Sequence, residues 1–389
     1  MAIPSTQIAA VIPASGGKDV SDVQISSTEP VPHPGDGEVL IKLEFSGVCH
    51  SDVHSIRGDT PMKTNVAGHE GVGRVVSVGN GLEEKEWMGQ MVGTSDLYVD
   101  CLPRSIPGTE VDIVNRWLYS SCLECEICEI NHTACPYQRN AGAVCPPVYV
   151  SLQSENDLMD MEPFAECPGY ISTPAIHATK IPVGLSPDLA APLLCAGIAM
   201  YSSIKKSKAR AGDWLAIIGA GGGLGHMGIQ IAAKKGIKVL AIDTGDKKKE
   251  LCLCLGATAF LDFREIDIVE GAKAATSGLG VHAVICTANG EKAYEQGMHM
   301  LRPLGTLVCV GIPHIPFRLP ATPFEMIVKG LTIVGNSAGT AQEMDELMAM
   351  ALAGDVQARI EVFELQAIVD VLQRLERSEI EGRVVLRIP

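Results

Sequence analysis

Four cysteines lie within fourteen residues: Cys122, Cys125, Cys128 and Cys135, spaced C-x2-C-x2-C-x6-C. Thiolates this close can wrap one tetrahedral zinc, and four sulfur ligands leave no open position for a substrate. Such a site is structural; it pins a loop and does no chemistry. Unrelated buried cysteines and an iron–sulfur cluster, whose spacing can look alike, are the competing explanations. A second set of metal-type side chains is scattered. It comprises Cys49 in Gly47-Val48-Cys49-His50-Ser51-Asp52-Val53-His54, His69 and Glu70 in Gly68-His69-Glu70-Gly71, and Cys195 in Leu194-Cys195-Ala196-Gly197. Each is weak alone. A lone cysteine in an apolar stretch is usually a small buried hydrophobe, and a histidine beside glycine serves as readily in a turn.

A third pattern suits a phosphate. Ile217-Ile218-Gly219-Ala220-Gly221-Gly222-Gly223-Leu224-Gly225 follows an apolar run and opens a helical stretch over 226–235. Glycines at a strand-to-helix turn permit a tight bend, let backbone N–H groups approach a pyrophosphate, and allow close packing of helix on strand. Gly219, Gly222, Gly223, Leu224 and Gly225 are therefore candidate dinucleotide contacts. Asp243 ends the next apolar run, about twenty residues on, where an acid accepts hydrogen bonds from the adenosine ribose hydroxyls. A carboxylate there repels a 2′-phosphate, which favours NAD over NADP; Lys247 and Lys249 nearby pull weakly the other way.

These residues need two kinds of scaffold, and the chain offers both. A length of 389 residues suits two domains rather than one core. The first ninety or so read as short strands between turns, with alternation over 38–43 and a Gly-bounded β-rich run over 71–79. From Asp213 the texture becomes strand, glycine turn, helix, strand. The segments 214–218, 238–242, 283–286 and 306–310 are continuous apolar runs, as in a parallel sheet buried on both faces. The tail after Ala338 reads as helix plus a last strand over 382–386, returning to the first domain. A composition of 46% hydrophobic and 20% charged residues is that of a folded protein. The net charge of −15 argues against a nucleic-acid partner, since phosphate backbones need Lys and Arg clusters. The one basic run, Lys247-Lys248-Lys249, reads as a solvated helix start. No signal peptide is expected, and no apolar stretch reaches the length of a membrane span. Thirteen cysteines then point to a reducing, cytoplasmic setting, and to metal ligation or burial rather than disulfides.

Together, the cysteine cluster, the scattered set and the glycine turn resemble the zinc-containing alcohol dehydrogenases of the medium-chain dehydrogenase/reductase superfamily, in their yeast and fungal type. The resemblance covers 31–93, 116–143 and everything from 173 onward. It implies a GroES-like β-rich catalytic domain (1–196), a doubly wound parallel-sheet (Rossmann) coenzyme domain (197–335), and a return to the catalytic domain (336–389). It implies Cys49, His69 and Cys195 as ligands of a catalytic zinc, with water or substrate oxygen fourth, and a structural zinc on the cysteine quartet. Two thiolates and a neutral imidazole leave such a zinc able to act as a Lewis acid on an alcohol. The implied reaction is hydride transfer between a primary or secondary alcohol and NAD. Ser51 would hydrogen-bond the substrate oxygen and begin a proton relay through the cofactor ribose to His54. Asp52 would orient His69, and Glu70 would sit behind the metal. His50 and Arg383 would lie near the cofactor pyrophosphate, Lys248 at its ribose, and Val310 against the cofactor. The expected partners are a small-molecule alcohol or carbonyl and further copies of the chain, as dimer or tetramer, with no membrane.

Two stretches depart from the family pattern. The first, 94–115, separates Gly93 from Trp117, which matches a tryptophan lining the substrate pocket. The second, 146–168, stands in place of a strand of which Tyr170 remains. Both lack periodicity and are long for a compact domain; they read as surface loops near the cleft or as translated non-coding sequence. Thr60 stands where a second pocket tryptophan is expected, which widens the pocket. One rival reading is an inactive scaffold of the same fold, its cleft spoiled by these stretches. Another is a zinc-free, NADPH-dependent reductase, against which Cys49, His69, Cys195 and Asp243 argue. A binding-only module built on the quartet leaves the glycine turn unexplained.

Overall fold

The computed structural model describes residues 2–12, 19–57, 68–94, 169–313 and 317–389. The cysteine quartet Cys122, Cys125, Cys128 and Cys135, Trp117, Thr60, and all of the two inserted stretches except Thr94 lie outside the described residues. The chain divides into two compact units, Met1–Cys195 with Ile360–Pro389, and Ala196–Arg359.

In the first unit, β1 (Thr6–Val11) and β2 (Gln24–Pro30) form an antiparallel ribbon of their own. The larger sheet is organised around β3 (Glu38–Val48), whose Val39, Leu40, Ile41 and Leu43 are buried. Antiparallel to it run β4 (Glu70–Val78) and β6 (Tyr170–Pro174), both paired with β3, and β5 (Met91–Thr94) pairs antiparallel with β4 on its far side. Beyond β5 lies the short β7 (Thr179–Lys180). Two strands from the end of the chain complete the sheet: β14 (Ile360–Glu364) pairs parallel with β15 (Arg383–Arg387), and β15 pairs antiparallel with β3. The pairing register decides where the site falls. Gly47 of β3 faces Glu70 of β4, and Val48 faces Val384 of β15. The end of β3 and the starts of β4 and β15 therefore meet, which brings Cys49, His69, Glu70 and Arg383 to one place.

The second unit is a six-stranded sheet, parallel throughout: β8 (Trp214–Ile218), β9 (Lys238–Asp243), β10 (Ala259–Asp262), β11 (Val281–Cys286), β12 (Leu301–Cys309) and β13 (Thr332–Gly335). Its spatial order is β10-β9-β8-β11-β12-β13. Numbered from β8 this is 3-2-1-4-5-6, the doubly wound order in which ligands bind at the carboxyl ends of the strands where the winding reverses. The four apolar runs become β8, β9, β11 and β12. β10 and β13 lack that signature because each has only four residues, with at most three apolar ones in a row and none fully buried. Among the described residues, no single helix is long and apolar enough to cross a membrane.

Two boundaries differ from the sequence reading. The chain returns to the first unit at Ile360, not at 336. Helix Ala341–Leu352 belongs to the second unit because it packs on helix Ala196–Lys206, where Tyr201 Oη donates to Glu346 at 2.5 Å and Lys205 pairs with Glu343 at 3.3 Å. Thr94, taken as the first residue of an inserted stretch, is the buried last residue of β5, and its hydroxyl donates to the Gly71 carbonyl at 3.4 Å.

Candidate active site

The scattered cysteines and histidine do assemble. One donor atom from each of Cys49, His69, Glu70 and Cys195 lies within 4.8 Å of the others. Cys49 is the residue between β3 and helix His50–Arg57, and His69 immediately precedes β4. Cys195 sits between a single helical turn, Ala191–Leu193, and helix Ala196–Lys206. Gly93 makes room for that segment: a Cβ there would come within 2.6 Å of Leu194, the residue before Cys195.

Asp52 holds two of the four donors. Its Oδ2 accepts from the Cys49 backbone N–H at 2.8 Å, and its Oδ1 accepts from His69 Nδ1 at 2.7 Å. With its proton held on Nδ1, His69 presents a bare Nε2, which lies 3.1 Å from Cys49 Sγ and 3.6 Å from Glu70 Oε1. Ser51 donates its backbone N–H to Cys49 Sγ at 3.2 Å. Burial opposes ionisation of Cys49, but its hydrogen bond with Cys195 and the facing His69 overcome this and draw its thiol well below the ordinary range. Cys195, bonded to that thiolate, is held well above it. Thiols bind a metal as thiolates, so an ion held by both sulfurs would displace their protons.

Glu70 is fully buried, and its Oε1 is hydrogen-bonded and ion-paired to Arg383. Burial raises the Glu70 carboxyl to about 6, even with Arg383 pulling the other way. Its Oε2 is buried without a hydrogen-bond partner. That oxygen occupies the space where a Cβ on Gly47 would stand, only 2.0 Å away, so the glycine is a requirement of the site. Sequence reasoning did not assign Gly47; its place in the Gly47–His54 motif was the available signal.

The donor set suits zinc. Tetrahedral ligands about 2.0–2.3 Å from a zinc are roughly 3.3–3.8 Å apart, and two sulfurs with an imidazole are its usual partners. The orphaned Glu70 oxygen is consistent with a cation at this point. Ser51 and His54 lie half-buried on the helix that starts beside Cys49, and His50 is exposed at its first residue. The His50 and His54 ring centroids are 6.5 Å apart.

The second unit carries the glycine turn as expected between β8 and helix Gly225–Lys234. Gly219 has φ +82°, and a Cβ on Gly225 would lie 2.3 Å from the Gly219 carbonyl oxygen and 2.5 Å from Ala220 Cα. These two glycines are needed for the bend and for helix-on-strand packing. Gly222, Gly223 and Leu224 form the half-buried crest between them. Asp243 ends β9, nearly buried. Its Oδ2 accepts from Gly221 N–H at 2.9 Å, and its Oδ1 accepts from Thr244 N–H at 2.9 Å and Lys248 Nζ at 3.0 Å. Lys248 is therefore not the free surface lysine its run suggests. Val310 follows β12, its N–H bonded to the Cys286 carbonyl at 3.1 Å, at the same carboxyl edge. Arg383, by contrast, is in the first unit, committed to Glu70.

A parallel sheet wound for a dinucleotide and a buried Cys-His-Glu-Cys set, in one two-unit chain, define a metal-dependent oxidoreductase. Family models match in both parts: the alcohol dehydrogenase GroES-like domain over 35–151 and the zinc-binding dehydrogenase domain over 223–353. An alcohol dehydrogenase from Schizosaccharomyces pombe is 35% identical, covering 99% of this chain and 99% of its own. Another, from Geobacillus stearothermophilus, is 36% identical over 91% of this chain and 92% of its own. The solved structure of a cinnamyl alcohol dehydrogenase from Sorghum bicolor matches with a TM-score of 0.75 at 26% identity, covering 98% of this chain and 97% of that one. The chain belongs to the zinc-containing alcohol dehydrogenases of the medium-chain dehydrogenase/reductase superfamily.

Proposed function

We propose that the chain moves a hydride between a primary or secondary alcohol and NAD, interconverting the alcohol with its aldehyde or ketone. The observation that carries this reading is the convergence of the donor atoms of Cys49, His69, Glu70 and Cys195, with Asp52 bonded to His69. A bound zinc supplies Lewis acidity that lowers the pKa of an alcohol hydroxyl. The chain does the rest. Asp52 keeps the His69 Nε2 lone pair aimed into the set, and Cys49, His69 and Cys195 hold the ion. Ser51, beside the ion, would take up the hydroxyl proton, and His54 on the same helix would serve as its onward acceptor. The glycine turn with Val310 cradles the dinucleotide, and Asp243 with Lys248 takes its adenosine ribose. His50 and Arg383 act on the pyrophosphate. A second zinc on Cys122, Cys125, Cys128 and Cys135 is structural.

Purified protein should contain two zinc ions per chain and generate NADH absorbance with NAD and a series of small alcohols. Absence of NADH with every alcohol, at full zinc content, overturns the reading. Free thiols at the site require a reducing compartment, the cytoplasm. Self-association is supported by Leu304, Phe324, Ile327 and Val328, which are 81%, 73%, 79% and 65% exposed near β13, the edge strand of its sheet. A monomer by sedimentation would remove that part of the proposal.

A further inference from the structure

We propose that Asp262 is a second determinant of cofactor choice, closing the turn beyond Asp243 to a ribose 2′-phosphate; the proposal rests on the NAD reading above. β10 lies parallel beside β9, and Asp262 is the register partner of Asp243. Residues in register on neighbouring strands are about 4.8 Å apart and project to the same face. Two carboxylates therefore end adjacent strands at the edge where this fold binds its ligand.

Asp262 does more than add charge. Its Oδ2 accepts from Gly245 N–H at 2.8 Å and from the Thr244 hydroxyl at 3.1 Å, while its Oδ1 accepts from Arg264 N–H at 2.9 Å. Gly245, at φ +90°, is the cap of the nine-residue helix Asp246–Cys254. Backbone N–H and hydroxyl groups at such a helix start are the donors a phosphate would use. Here Asp262 has already taken the Gly245 N–H and the Thr244 hydroxyl. The same bonds, from Gly245 N–H first and Arg264 N–H next, hold its carboxyl below the ordinary range, so it is charged at neutral pH. The Arg264 guanidinium offsets part of that charge.

A ribose held by Asp243 accordingly projects any 2′-substituent toward a second anion and a turn whose Gly245 N–H and Thr244 hydroxyl are already engaged. Asp243→Ser removes one charge and leaves the other in place, so by itself it opens the site only in part. Asp262→Asn should raise affinity for the phosphate-bearing ligand alone. The expected gain is about fivefold, the size of one partly screened charge acting on a dianion near the surface.

The test is calorimetric titration of the wild type, Asp243→Ser, Asp262→Asn and the double variant with NAD, NADP, AMP and 2′,5′-ADP. Asp262→Asn should tighten NADP and 2′,5′-ADP about fivefold and leave NAD and AMP within about twofold. The double variant should gain the product of the two single effects, and Asp262→Glu should keep the wild-type ratio. Equal shifts for NAD and NADP, or none, would show that Asp262 only braces the turn, and the inference falls. Should Asp262→Asn fold poorly, Asp262→Ser reads the same ratio. Wild-type preference for NADP would overturn the NAD reading, while the change of ratio on Asp262→Asn would still decide the role of Asp262.

Discussion

Asp52→Asn is the sharpest perturbation of the metal site, because one nearly buried carboxylate serves two of its donors. Aspartate offers two acceptor oxygens; asparagine offers one, and its amide nitrogen only donates. If the remaining oxygen stays with the Cys49 N–H, the amide faces His69 Nδ1, which must then accept. The imidazole proton moves to Nε2 and closes the nitrogen that faces the metal. If the oxygen turns to His69 instead, the Cys49 N–H is left buried and unpaired, at about 1–3 kcal/mol. Either outcome corresponds to roughly 10- to 100-fold weaker zinc binding, the usual effect of losing such a supporting carboxylate. Competition between the metal-stripped protein and a chromophoric chelator measures it directly. kcat/KM at limiting zinc should fall in parallel and recover in part when zinc is raised. A folded Asp52→Asn protein that binds zinc within about twofold of the wild type would refute the reasoning from tautomer control.

Cys49→Ala should abolish turnover and lower the zinc content from two to one, measured by elemental analysis; retained activity would mean that Cys49 is not a ligand of the catalytic ion. Cys125→Ser should release the other zinc and lower Tm, because a structural metal's binding energy stabilises its loop; an unchanged Tm in the metal-depleted variant would remove the structural role. Gly225→Ala should weaken NAD binding more than about tenfold and cost about 1–3 kcal/mol of stability, since its Cβ would meet backbone atoms at 2.3 and 2.5 Å. Gly222→Ala, whose nearest neighbour is the Gly219 carbonyl oxygen at 3.3 Å, should be tolerated far better. Fluorescence titration with NAD and thermal melts separate the two, and equal effects would mean that the turn is not held by close backbone contact.

What was legible in the sequence was whatever is local. The strands β8, β9, β11 and β12 are buried on both faces and announce themselves as apolar runs, while β10 and β13 at the sheet's edges do not. An amphipathic period shows that helix Ala341–Leu352 has a stripe to bury, but not which unit will bury it; the Tyr201–Glu346 bond spans 145 residues. The same limit shaped the site. Cys49, Asp52 and His69 lie within short motifs that group them from the sequence alone. The pairing of Glu70 with Arg383 spans 313 residues and follows from the register of β3 with β4 and β15. A buried carboxylate and a buried guanidinium each demand a partner, yet neither residue's neighbours in the chain reveal it. Asp262 illustrates the point at closer range, since it acts through strand register with Asp243 and not through any motif. Arg383 shows how closely such a partner is specified once the strands are in register. A guanidinium carries five N–H donors; Glu70 engages Nη2, while the buried Nε has no hydrogen-bond partner. Glu70 alone therefore fixes where the arginine stands, and the register of β3 with both β4 and β15 is what delivers each buried charge to the other.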